Sequence, residues 1–265
     1  MKRVCFSTAL TLCLSCFSLP SQSHGQEIRV RVENTGAVGG TAVAPVFLGV
    51  HDGTFNLFTG GQAASSNLQT LAELGGIGGV ITDFENAGFD ASGIQAPLAP
   101  GDFGEVDFTI DASSLSNNPR LLVATMLLPS NDWFLSSENT GGTDSGGFDL
   151  SGLQVGETRV FTLDRLYDAG SEAEDFAFSP GNPFIGLPPG DAAGGNPGSG
   201  AVSFLGTVGP GGTTTASFAD FDSNPGGVTA SFSPLTITVT AVPEPGSILA
   251  CGVVAAGLCF RRRRR

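Results

Sequence analysis

Acids dominate the residues of this chain that could do chemistry. Between positions 26 and 241 there are 24 Asp and Glu against five bases, Arg29, Arg31, Arg120, Arg159 and Arg165, and no lysine. That segment carries a net charge of −19, against −13 for the full 265 residues. Such a surface repels nucleic acid and anionic lipid, which present dense negative charge of their own. It suits divalent cations held through hard oxygens, and it keeps an exported protein in solution. Thiol chemistry is excluded from the segment, because Cys5, Cys13, Cys16, Cys251 and Cys259 all lie outside it. His51 is its one histidine, so a zinc site has too few nitrogen and sulfur ligands to draw on.

Catalytic patterns are sparse. His51-Asp52 invites a triad, but a carboxylate adjacent in sequence cannot easily reach the far ring nitrogen, and no Gly-x-Ser-x-Gly elbow occurs. His51 reads instead as a hydrogen-bonding residue at a strand end, and Asp52-Gly53 as a turn. A glycosidase needs two carboxyls at a fixed separation. Nothing in the spacing fixes such a pair, and one Trp and one Tyr make no aromatic platform. Gly141-Gly142 and Gly194-Gly195 lack the Lys-Ser/Thr that follows a phosphate loop.

The elements that must position any site read as strands. Thirty-nine glycines, with short β-branched and Phe-rich runs, argue for strands joined by tight turns. Residues 28–33 alternate with period two, as do 104–110, where Val106, Phe108 and Ile110 share a face. In 158–163 the alternation runs through Val160 and Thr162. Residues 43–50 are mostly apolar, as a strand buried on both faces would be, and 120–128 are strongly apolar, as a central strand would be. Further strands are expected near 201–205, at 213–218 and at 228–239, the last with Phe232, Leu235, Ile237 and Val239 as core. Residues 67–74 form the one helix candidate, with Leu68, Leu71 and Ala72 at helical spacing before Gly75-Gly76. Residues 182–210 are a long Gly- and Pro-rich loop around a single strand. The pattern predicts an all-β, antiparallel β-sandwich with a short helix and long Gly-rich loops.

Both ends read as addresses. Lys2 and Arg3, an apolar stretch to Leu19 and the small residues around Ser23-His24-Gly25 form a secretory signal peptide, cut between Gly25 and Gln26. At the other end Val242-Pro243-Glu244-Pro245 precedes 15 mostly apolar residues, 246–260, and five arginines, Arg261 to Arg265. A helix of that length spans roughly 23 Å at about 1.5 Å per residue, short of a hydrocarbon core of about 30 Å. The arginines form a stop-transfer block that stays cytoplasmic. The three-part order resembles the PEP-CTERM sorting signal of Gram-negative bacteria. That resemblance implies recognition by an exosortase, cutting near Pro243-Glu244-Pro245, transient association with the inner membrane, and a place among exported proteins linked to extracellular polysaccharide and biofilm. The expected organisation is a leader (1–25), one domain (26–241) and a sorting tail (242–265).

Inside the domain a second resemblance emerges from the order of its motifs. His51-Asp52-Gly53-Thr54-Phe55-Asn56-Leu57-Phe58 follows the first buried strand. A short helix, Pro100-Gly101, then Leu127-Leu128-Pro129-Ser130-Asn131-Asp132-Trp133-Phe134 and Leu166-Tyr167-Asp168-Ala169-Gly170-Ser171-Glu172 come after it. Over about 28–180 this series resembles the spondin N-terminal domain of matrix proteins and secreted bacterial proteins. The resemblance implies a sandwich similar to calcium- and lipid-binding sandwiches, with a bound Ca2+. Asp132 and Asp168 would be its carboxylate ligands. Glu172, where the family carries Asp, and Asp164 would be further ligands. Trp133-Phe134 is either an exposed recognition pair or, as such aromatics more often are, core. The function expected is a non-enzymatic, calcium-binding adhesion or matrix protein of the cell surface, with a secreted hydrolase of matrix polymers as the alternative.

Overall fold

The computed structural model describes residues 25–36, 42–110, 118–128, 132–138, 146–171, 199–208 and 234–243. Residues 1–24 of the leader, Glu172, the strand expected at 213–218, Phe232, Glu244, Pro245, the apolar tail and Arg261 lie outside the described residues. Among those described, the chain is an antiparallel all-β sandwich with two short helices. No described helix is long and apolar enough to cross a membrane.

Four strands make the smaller sheet: β1 (Gln26–Asn34), β5 (Phe103–Ile110), β9 (Thr158–Leu163) and β12 (Leu235–Ala241), in the order β5-β1-β12-β9. Period-two alternation gives this sheet one dry and one wet face. Ile28, Val30 and Val32 of β1 point inward with Leu235, Ile237, Val239 and Ala241 of β12, all fully buried. Arg29 turns outward and meets Asp107 of β5 at 2.8 Å. On β9 the inward face is the opposite of the one expected from sequence. Leu163 is buried and Phe161 packs on the core, while Val160 is 65% exposed. The pairing decides this: Leu163 lies opposite Leu235, and a one-residue slip would turn every side chain over.

The larger sheet runs β11 (Ser203–Thr207), β10 (Arg165–Asp168), β7 (Trp133–Ser136), β6 (Arg120–Leu128), β3 (Val46–His51), β4 (Asp90–Ile94). The short strands β2 (Ala42–Val43) and β8 (Phe148–Asp149) also pair with β6. One face packs on the smaller sheet through Val46, Leu48, Leu121, Val123, Leu135 and Leu166. The other face, Phe47, Leu122, Ala124, Phe134 and Tyr167, is covered by helices α1 (Ser66–Leu74) and α2 (Gly78–Asn86) and by aromatic residues of the 52–65 segment. The described residues therefore form three layers, and β3 and β6 are mostly apolar because both of their faces are dry.

Helix α1 starts one residue before the expected stretch and ends at the expected Gly75-Gly76 stop. The Ser65 hydroxyl accepts the Leu68 N–H at 3.2 Å, and Gly75 closes the helix at φ 67°. Helix α2 is an addition to the single helix expected. Its start, Gly78-Gly79, reads as a break and no side chain caps it, so packing of Val80 and Phe84 sustains it. Phe84 lies 4.5 Å from Phe55, 5.4 Å from Phe47 and 5.6 Å from Phe89 between ring centroids.

Candidate functional site

Strands β7 and β10 bring two of the sequence-derived acids together. They pair antiparallel with Trp133 opposite Asp168, so Asp132, one residue before β7, falls beside the end of β10. The Ala169 N–H donates to the Asp132 carbonyl at 3.1 Å and extends the ladder past Asp168. The Asp132 side chain has no exposed surface. Its Oδ2 accepts the Ser171 N–H at 3.0 Å and the Ser171 hydroxyl at 3.4 Å. Asp168 Oδ1 accepts the Gly170 N–H, which makes the Asp168-Ala169-Gly170 segment a tight turn. Gly170 holds φ 66°, and its Gly170 carbonyl accepts the Gly200 N–H at 2.8 Å, tying the turn to the segment that leads into β11.

The register of β7 and β10 sets the Asp132 and Asp168 side chains near one another, with Ser203 opposite Asp168 on β11. Burial pushes Asp168 above the usual carboxylate range, and the Gly170, Asp132 and Ser203 hydrogen bonds oppose that rise. Neighbouring carboxylates disfavour each other's charge, and a proton or a cation relieves that repulsion. Hard oxygens from two Asp and nearby carbonyls fit a calcium-type cation in kind, although two carboxylates are only part of the six to eight oxygens it takes. Among the described residues no group of three or more His, Cys, Asp or Glu gathers around a common point. Glu172 follows Ser171 directly and lies outside the described residues. Asp164 is not brought to the pair. It stands before the opposite end of β10, roughly 13 Å from Asp168 at about 3.3 Å per strand residue, and its carbonyl accepts the Val208 N–H at 2.7 Å.

Trp133 and Phe134 are both buried, so they are core rather than a recognition pair. His51 ends β3, wholly buried. Its Nδ1 faces the Gly53 N–H at 3.2 Å, which puts the ring proton on Nε2, donated to the Gly146 carbonyl at 2.8 Å. Burial lowers its pKa. Both nitrogens are used by backbone, so the ring orders a turn; Asp52 instead accepts from the Thr54 hydroxyl and N–H.

One functional-looking residue escaped the sequence pattern. Glu138, just after β7, is 2% exposed and receives the Leu57 N–H at 2.8 Å. Burial raises its pKa to about 7. The Tyr167 hydroxyl donates to its carbonyl at 2.6 Å, and Phe58 packs edge-on to Tyr167 at 4.9 Å. A lone Glu after Ser136-Ser137 has no pattern that marks it as buried; its only visible signal is a carboxyl at the end of an apolar strand.

With this geometry in place, the comparisons locate one matched segment. No curated protein matches the chain. Residues 241–264, beginning at the last residue of β12, match the PEP-CTERM protein-sorting motif, the signal by which an exosortase sorts an exported protein at the cell envelope.

Proposed function

We propose that the chain is an exported, non-enzymatic matrix protein whose β-sandwich is stabilised by calcium at Asp132 and Asp168. On this reading it acts in adhesion within extracellular polysaccharide or biofilm. The observation that carries the reading is the placement of the wholly buried Asp132 beside the half-buried Asp168 where β7 and β10 pair, since two neighbouring carboxylates favour a cation or a proton. Three features support it: the sorting motif at 241–264, the −19 charge of residues 26–241, and the resemblance of 28–180 to the spondin N-terminal domain. Asp132 has no exposed surface, which favours a structural ion over an acid–base pair reaching a polymer. When bound, calcium supplies charge neutralisation and a fixed coordination geometry. The protein supplies the carboxylates, with Ser171 orienting Asp132 and Gly170 and Ser203 orienting Asp168.

The test is thermal melting with calcium and with chelator. A ligand at about 100 times its Kd adds about 2.7 kcal/mol, which for a domain of this size is roughly 5–10 °C in Tm. The Asp132→Asn and Asp168→Asn variants are expected to lose that shift. An identical Tm with calcium and chelator in the wild type sinks the metal reading.

A further inference from the structure

The sorting tail leaves the fold with no spacer. β12 ends at Ala241, and the backbone remains engaged through Val242. The Ala241 N–H donates to the Glu157 carbonyl at 3.0 Å, and the Gly156 N–H donates to the Ala241 carbonyl at 2.8 Å. Next, the Val242 N–H donates to the Glu27 carbonyl at 2.8 Å, and the Val242 carbonyl accepts Gln26 Nε2 at 3.0 Å. Pro243 is the first exposed residue beyond this lock and the first of the Pro-Glu-Pro triplet.

A protease that takes an extended substrate needs backbone donors and acceptors it can pair with. Residues 241 and 242 have none to spare. Nor is β12 dispensable: it lies between β1 and β9, with four residues fully buried. We infer that this corner of the smaller sheet, built from Gln26, Glu27, Gly156, Glu157, Ala241 and Val242, is a stop for the tail-removing exosortase. Cleavage falls at or beyond Pro243, and the new C-terminus stays docked beside Gln26. Antiparallel pairing of β1 with β12 puts the expected leader junction, Gly25–Gln26, at the same corner. Both processed ends then emerge together, and anything attached to the new carboxyl end projects from that point. The inference rests on the sorting motif and the sheet, not on the calcium site.

The full-length precursor, expressed in an exosortase-bearing host, tests it by intact mass and by the rate of tail loss. The wild-type product is expected to retain Val242. Deleting Val242 moves Pro243, which has no N–H, into the position facing Glu27 and is expected to slow processing several-fold. Val242→Ser keeps the chain length and the backbone bonds and is expected to process at the wild-type rate. A wild-type product ending at or before Ala241 overturns the inference, and needs no variant to fold. So does a deletion processed at full rate, or a serine variant as slow as the deletion.

Discussion

Burial pushes Glu138 toward its neutral form, while the N–H groups of Leu57 and Phe58 favour its anion. Burial wins, and the pKa rises from 4.5 to about 7. A carboxyl raised on folding binds its proton more tightly in the native state. Its contribution is complete below pH 4.5 and is lost as pH rises through about 7, on the order of 3 kcal/mol in all. Other titratable groups face the same region: His51 on the far side of Gly146, Arg120 opposite His51, and Tyr167 on the Glu138 carbonyl. His51, lowered by burial, has the reverse sign and loses stability as pH falls below its ordinary 6.5. The wild-type profile is thus a partial cancellation. Glu138→Gln keeps an acceptor for Leu57 and removes one of the two slopes. Between pH 4.5 and 7 in urea melts, the wild type should lose stability relative to this variant as pH rises. Parallel profiles would show that Glu138 does not titrate in that range.

At the level of elements, the turn after β10 aligns the acid pair. Gly170 sits at φ 66°, and a Cβ there would press on the Ala201 backbone and the Ser199 hydroxyl. Gly152 has a similar φ of 70° with open space around it. The two glycines separate backbone strain from crowding. Gly152→Ala should cost about 1 kcal/mol, the strain alone, and Gly170→Ala about 2–3 kcal/mol. The larger loss should come with a weakened Ser171–Asp132 bond and a smaller response to calcium. Equal melting temperatures for the two variants would mean that the 199–201 segment yields freely.

The whole molecule carries far more negative charge than its ion pairs can offset. Arg29 pairs with Asp107, Arg31 with Glu33 and Glu105, and Arg159 with Glu157, all at least partly exposed and so weakened by water and salt. Long-range repulsion among 24 acids outweighs these contacts, and salt screens it: the Debye length falls from about 30 Å at 0.01 M to about 8 Å at 0.15 M. Tm should therefore rise by a few degrees over that range of sodium chloride in the presence of chelator. A fall would mean that the exposed ion pairs dominate.

Much of this architecture was legible in the chain. Period-two runs marked β1 and β5, and the apolar runs at 43–50 and 120–128 marked the strands buried on both faces. Helical spacing of Leu68, Leu71 and Ala72 and a Gly stop marked α1, and the tail carried its sorting motif. Each of these signals is local, set by side-chain period, capping chemistry or composition. Other features depended on partners distant in sequence. Which face of β9 turns inward follows from its register against β12. Helix α2 forms because Phe84 has Phe47 and Phe55 to pack on. Asp132 and Asp168 meet, and Asp164 does not, because β7 and β10 pair with Trp133 opposite Asp168. Glu138 is buried because the 52–65 segment folds over it. By itself the sequence determined the long strands and where the charge lies; only the tertiary structure decided strands β4, β7, β8 and β10 and which acids lie side by side, because these depend on partners the linear chain does not bring together.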